Sequence, residues 1–205
     1  MLALDHIAIS AETLDQGRTF VETAFGVTLS EGGKHPKFGT HNLLLGLGDV
    51  YLEVIAIDPD APKPERSRWF NLDNFSGEPR VTNWICSTQK PNRVIGKTLP
   101  GTGDMVDVTR GDLTWDITVS KDGTLPFNGF APAIIHWRDA EPPAGRLPDV
   151  GCQLKRLRIR TPHAITLRSF ASPLFSDPRV DIMGAEVASY ELTLSTPTGD
   201  KTIKS

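Results

Sequence analysis

Glu53 is a carboxylate inside Val50-Tyr51-Leu52-Glu53-Val54-Ile55-Ala56-Ile57, a run that otherwise reads as a buried β-strand. Strand alternation puts Tyr51, Glu53, Ile55 and Ile57 on one face and Leu52, Val54 and Ala56 on the other, so neither face is polar. An ionised carboxylate in such company needs a cation, a metal or several hydrogen bonds. His6 is a candidate partner. It shares a strand face with Leu4, Ala8 and Ser10, while Asp5, Ile7 and Ile9 face the other way, where the two isoleucines can meet a helix. If the strands bearing His6 and Glu53 lie side by side, an imidazole and a carboxylate converge as half of a metal site. A His–Glu hydrogen bond, or a Glu53–arginine pair, would satisfy the same two groups without any ion.

The segment Gly32-Gly33-Lys34-His35-Pro36-Lys37-Phe38-Gly39-Thr40-His41-Asn42 joins three glycines to two histidines just before an apolar run. Glycines let backbone approach a ligand, and His41 or Asn42 at the exit could contact it. For His35, flanked by lysines and proline, turn chemistry in solvent is the expectation. Arg156, Arg158 and Arg160 alternate along one face of a later strand. Facing solvent they form a charged sheet surface, and facing a cavity Arg156 and Arg158 would clamp a carboxylate or phosphate. Asp116 is equally open to both readings. Trp84, Trp115 and Trp137 suit core packing better than a ligand cage.

The elements that must position these groups follow from periodicity and turn residues. Residues 4–10 read as a strand, 14–25 as a helix closed by Gly26, then a glycine-rich loop and strands at 42–47 and 50–57. A proline-rich linker follows at 58–66. A second, weaker copy has strands near 83–87, 105–108, 113–119 and 133–137 with a short helix near 93–99. After another proline-rich stretch come strand 154–160, helix 164–175 and strands 180–183 and 189–195, with a loose polar tail from Pro197. The first and last segments can be overlaid, Tyr51-Leu52-Glu53-Val54 falling on Ser189-Tyr190-Glu191-Leu192.

With 205 residues and 39% apolar content the chain can bury a core, and its formal charge of −3 gives no electrostatic footprint for nucleic acid or anionic membrane. No stretch is long and apolar enough to cross a bilayer. The start lacks a basic segment followed by an apolar run, and Cys86 and Cys152 are isolated, which together imply a cytoplasmic protein with reduced thiols.

Leu4-Asp5-His6-Ile7-Ala8, the run from Gly32 through Leu45, and Tyr51-Leu52-Glu53-Val54-Ile55-Ala56 followed by Asp58-Pro59 closely resemble the glyoxalase-like domain family of the vicinal oxygen chelate superfamily. The resemblance implies an α+β fold in which repeated βαβββ modules form an open, cup-shaped mixed β-sheet with helices packed outside. On this reading residues 1–60 are the first module, 79–139 a divergent second, and 150–197 a βαββ segment completing the fold. It also implies one divalent metal (Zn, Fe, Mn or Ni) in the cup, with ligands on the first and fourth strands of each module, which His6 and Glu53 match. In the second module the first-strand position falls on Asn83, a poor ligand for Zn, Fe or Ni, and the last-strand position on His136. His6, Glu53 and His136 would then be the metal set, with Glu53 also catalytic and His41, Asn42, Arg156 and Arg158 reserved for substrate.

The implied activity is a metal-dependent lyase, isomerase or oxygenase acting on a small oxygenated molecule. Asn83, standing where a second-module histidine is expected, counts against a standard extradiol dioxygenase. The rival is a non-catalytic binding or sequestering protein of the same fold. Either takes a small-molecule partner without nucleic acid or membrane, and a homodimer is one allowed assembly.

Overall fold

The computed structural model describes all of residues 1–205. Its first half is β1 (Ala3–Ser10), α1 (Leu14–Phe25), β2 (Ser30–His35), β3 (Thr40–Gly46) and β4 (Tyr51–Ile57). A second set follows: β5 (Arg80–Ser87), the single turn α2 (Pro91–Val94), β6 (Asp104–Arg110), β7 (Leu113–Val119) and β8 (Ala133–His136). These eight strands form one sheet in the order β2-β3-β4-β1-β5-β8-β7-β6. Each set repeats the same plan: its first strand runs parallel to its fourth (β1 with β4, β5 with β8), and the two first strands pair antiparallel at the sheet's centre. The third set, β9 (Gln153–Thr161), α3 (Ala164–Ala171), β10 (Val180–Gly184), β11 (Ser189–Thr196) and β12 (Gly199–Lys204), forms a separate sheet ordered β10-β9-β11-β12.

Helix α1 shows how the sequence builds this. Thr13 caps it by accepting from the Gln16 amide, and Gly26 ends it at a left-handed φ of 71°. Gly17, Val21 and Phe25, four apart, form its buried stripe. Gly17 is required by contact, since a Cβ there would stand 2.3 Å from Val54 Cγ1. The helix therefore lies directly on the back of β4.

Two cores result. Behind the large sheet, Ile7, Ile9, Leu52, Val54 and Trp84 pack against α1 and the apolar face of the second sheet. Inside the curl, Ala8, Ile55, Ile85, Ile117 and Ile135 meet Trp69 and Phe70, from the segment joining the two strand sets. That segment, Trp69–Asn74, is two tight turns meeting at Phe70 and Asn71, whose φ values of 57° and 54° are left-handed. The fold is the α+β cup that the sequence implies.

Three local expectations change. The glycine-rich stretch is not a loop: Gly32 and Gly33 lie within β2, which pairs with β3. The polar tail is β12, hydrogen-bonded to β11 over six residue pairs from Glu191–Lys204 to Thr196–Gly199. The overlay of first and last segments also fails topologically, because β11 runs antiparallel to β9 while β4 runs parallel to β1. It is β10 that lies parallel to β9.

Candidate functional site

Because β1 and β4 are parallel neighbours, His6 pairs in register with Tyr51 and Ala8 with Glu53, all aimed into the cup. His6 Nε2 lies 3.6 Å from Glu53 Oε2, too long for a hydrogen bond. Each group is anchored from behind. His6 Nδ1 is 2.7 Å from Asp5 Oδ1, and the ring stacks on Tyr51 with centroids 4.5 Å apart. Asp5 in turn accepts from Trp137 Nε1 at 2.8 Å. Glu53 Oε1 accepts from the Asn42 amide at 2.5 Å. The carboxylate behind the histidine fixes the ring and leaves Nε2 facing the cavity, an arrangement shared by metal-ligating and proton-transferring histidines.

Asn42 links the pair to a cation. Its Oδ1 accepts from the Gly33 amide at 2.8 Å and from the Arg110 guanidinium at 3.0 Å. This crossing explains both glycines: a Cβ on Gly32 would stand 2.0 Å from Asn42 Oδ1, and one on Gly33 would stand 2.7 Å from Arg110 Cδ. Arg110 also approaches His35 Nε2 at 3.5 Å. Burial, and then the Arg110 charge, push His35 down to about 3, so its imidazole is neutral at ordinary pH. Burial beside Asp5 and Glu53 holds the Tyr51 phenol well above its usual range, and it stays protonated.

The remaining walls are carbon and aromatic: Ile117, Ile135, Trp115, Trp137, Trp69 and Phe70. Trp69 stacks on Phe38 at 3.9 Å and meets His35 edge-on, closing the mouth over the polar cluster. The free space left is about 20 Å³, room for one water molecule or ion.

Of the residues singled out from sequence, His6, Glu53 and Asn42 come together here. His41 does not. It occupies the opposite face of β3, paired with Ala56, where burial lowers its pKa and its Nε2 has no partner. His136 is a correction: Ile135 and Trp137 point into the cup, so His136 points out, its Nδ1 2.9 Å from the Thr88 carbonyl oxygen. Pairing gives the reason. In the second strand set Ala133 and Ile135 align with Ile85 and Ser87 of β5, so the position matching Glu53 is one of these carbon side chains. Arg156 and Arg158 are also corrected. They lie on the second sheet, with Arg158 bound to Glu191 at 2.8 Å and Arg156 near Asp181 at 3.5 Å. Asp116 is outside the cup, paired with Arg138.

Three members of the site go beyond what the sequence indicates. His35, expected in solvent, is carried by β2 into the cup with Thr40. Asp5, expected on the far face, is turned inward by the register shift between Leu4 and His6. Arg110 ends β6 and reaches across the cup from far along the chain, and nothing local marks it.

The donor chemistry fits a divalent ion held by two protein groups. Two donors about 2.1 Å from one ion stand about 3–3.5 Å apart, close to the 3.6 Å between His6 and Glu53. A third protein ligand is not gathered: no cluster of three or more His, Cys, Asp or Glu side chains is arranged to hold a metal.

Fold and site together give a curled sheet of paired βαβββ units around a polar His–Glu centre. The model of the glyoxalase-like domain matches residues 4–175, and the chain belongs to that family. A hypothetical protein from Staphylococcus aureus shares the fold over all of this chain and 85% of its own, with a TM-score of 0.62 and 14% identity. Streptomyces coelicolor methylmalonyl-CoA epimerase, solved with 2-nitronate-propionyl-CoA, aligns with 66% of this chain and 98% of its own at a TM-score of 0.46 and 16% identity. The Mycobacterium tuberculosis methylmalonyl-CoA epimerase aligns at a TM-score of 0.43 and 15% identity, over 69% of this chain and 91% of its own. No curated protein matches the chain.

Proposed function

We propose that the cup is the active site of a divalent-metal-dependent lyase or isomerase acting on a small molecule with vicinal oxygens. The observation that carries this reading is the 3.6 Å gap between His6 Nε2 and Glu53 Oε2, two donors held face to face without bonding each other. His6 and Glu53 would hold the ion, which when bound supplies Lewis-acid polarisation of a carbonyl oxygen. The chain's own residues do the rest. Asp5 holds the imidazole so that Nε2 faces the ligand. Asn42 keeps Glu53 Oε1 in place, and Oε2, where substrate oxygens displace it from the ion, would be the base that takes a proton from a carbon beside the carbonyl. Arg110 has donors beyond the one spent on Asn42, and its charge stabilises the oxyanion that proton removal creates. Ile117, Ile135 and the tryptophans exclude water. With about 20 Å³ free, a substrate larger than an ion has no room unless Trp69 and Phe70, which line the space, give way.

A second reading rests on the Arg110–Asn42–Glu53 chain, which compensates the carboxylate without an ion: a non-catalytic cup that captures a small anion on Arg110. Thermal shift separates the two, with Zn²⁺, Ni²⁺ or Mn²⁺ and with oxalate as a vicinal-oxygen probe. The enzyme reading expects metal stabilisation that EDTA reverses, with oxalate adding to it only when metal is present. Stabilisation by oxalate regardless of EDTA, lost in Arg110→Ala, would support the binder instead.

A further inference from the structure

We propose that the substrate of the His6–Glu53 centre is a small 2-oxo acid whose carboxylate is held by Arg110, an inference that rests on the metal-dependent reading above. Arg110 follows Val106 and Val108 on the inward face of β6 and lines the cup. Its Nη1 meets only neutral groups, the Asn42 amide oxygen at 3.0 Å and His35 Nε2 at 3.5 Å. Nε and Nη2 donate to no protein group, and neither is sealed off from solvent. Acids on the same hairpin are taken by other cations: Asp107 holds Lys37 at 2.8 Å, Asp112 holds Arg146 at 2.6 Å, and Asp116 holds Arg138. Arg110 is thus fixed in place by neutral partners and left without a carboxylate in contact. A guanidinium so placed in a largely apolar cup is a binding element for an anion, and its planar fork matches a carboxylate.

Charge and chemistry narrow the anion. Asp5 and Glu53 are the carboxylates of the centre and Arg110 its fixed cation, because burial keeps His35 neutral. With a divalent ion between His6 and Glu53, one positive charge is left over, which a monoanion cancels and a dianion would overshoot. For Glu53 to act as base, the substrate needs a C–H beside a carbonyl. A carboxylate alone would not serve, since removing that proton would put two negative charges on one carboxyl group, whereas a neighbouring ketone takes the electron pair on its own oxygen. A 2-oxo acid meets both needs, and its 2-oxo and carboxylate oxygens are vicinal. Its C3–H bond breaks, the proton passes to Glu53 Oε2 and the electron pair moves to the 2-oxo oxygen; return of a proton to C3 completes an isomerisation without a co-reactant. The carbon walls of Ile117, Ile135, Trp115 and Trp137 suit a short apolar remainder.

Calorimetric titration of the full chain, in the presence of Zn²⁺, with pyruvate, pyruvamide and propionate tests this, pyruvamide lacking the charge and propionate the 2-oxo oxygen. Pyruvate should bind about tenfold or more tightly than either. Arg110→Gln should bring pyruvate down to the level of pyruvamide with metal content unchanged, and Arg110→Lys, which keeps the charge without the fork, should retain part of the preference. Equal binding of pyruvate and pyruvamide by wild type, or no binding of any probe, would overturn the proposal. So would equal binding of pyruvate and propionate, or pyruvate binding unchanged in Arg110→Gln. The wild-type comparisons need no variant, so misfolding of Arg110→Gln leaves them decisive. Failure of the metal reading shows separately, as absence of bound Zn²⁺ in the same samples, and a preference for pyruvate over pyruvamide that persists there would still assign the carboxylate to Arg110.

Discussion

Asn42 donates its amide to Glu53 Oε1 at 2.5 Å while its own oxygen accepts from Gly33 and Arg110, so one neutral side chain both holds the buried carboxylate and connects it to a charge. Removing it leaves three polar groups short of a partner. Asn42→Ala should destabilise the protein by about 2–4 kcal/mol. At about 2–4 °C per kcal/mol for a chain of this size, differential scanning calorimetry resolves it easily. A loss under about 0.5 kcal/mol would show that Asn42 does not hold the site together.

Glu53→Gln should behave differently. The substituted side chain keeps a carbonyl oxygen that can accept from Asn42 and no longer carries a buried charge. Stability should therefore change by about 1 kcal/mol at most while metal-dependent stabilisation vanishes. Chemical denaturation with and without Zn²⁺ checks both halves. Retained metal stabilisation in this variant would remove Glu53 from the ligand set.

His35 gives the cup a defined acid sensitivity. Its pKa falls from 6.5 in the unfolded chain to about 3 in the fold, so between those values the unfolded state binds the extra proton. Stability is then full above pH 6.5 and declines as pH falls, by about 1.4 kcal/mol per unit from this group, levelling below about 3. His35→Gln should flatten urea midpoints in that window relative to wild type. Parallel profiles would show that His35 is not buried as a neutral ring.

Gly123 secures the segment over the mouth. Its φ is 78°, a Cβ there would stand 1.9 Å from the Arg68 carbonyl oxygen, and its own carbonyl accepts from Asn71. Gly123→Ala should displace Trp69 and Phe70, lowering stability by about 2–4 kcal/mol and increasing quenching of tryptophan fluorescence by acrylamide. Unchanged quenching would mean that the segment is held elsewhere.

How much of the site is legible in the sequence depends on range. Alternation within single strands turns Glu53 and His6 toward the side the structure gives them, because apolar neighbours follow each, whereas Asn42 reads from the sequence only as a residue at a loop's exit. Asp5 departs from alternation because a register shift lies next to it, and such a shift depends on the partner strand β5. His136 departs because β8 is only four residues long and apolar throughout before it, so two apolar neighbours do not fix its parity. Arg110 comes into contact through the meeting of β2 and β6 at the two ends of the sheet, a closure that no local pattern encodes. The glycine pair reads as loop chemistry, whereas Gly32 and Gly33 make room for Asn42 and Arg110.

The most direct test of the central claim is the metal content of protein purified without chelators, read by atomic emission for wild type, His6→Ala, Glu53→Gln and His136→Ala. Wild type and His136→Ala should carry close to one divalent ion per chain, and His6→Ala and Glu53→Gln less than about a tenth of that. Wild-type protein that stays metal-free after incubation with Zn²⁺, Ni²⁺ and Mn²⁺, or equal metal in all four proteins, would contradict it.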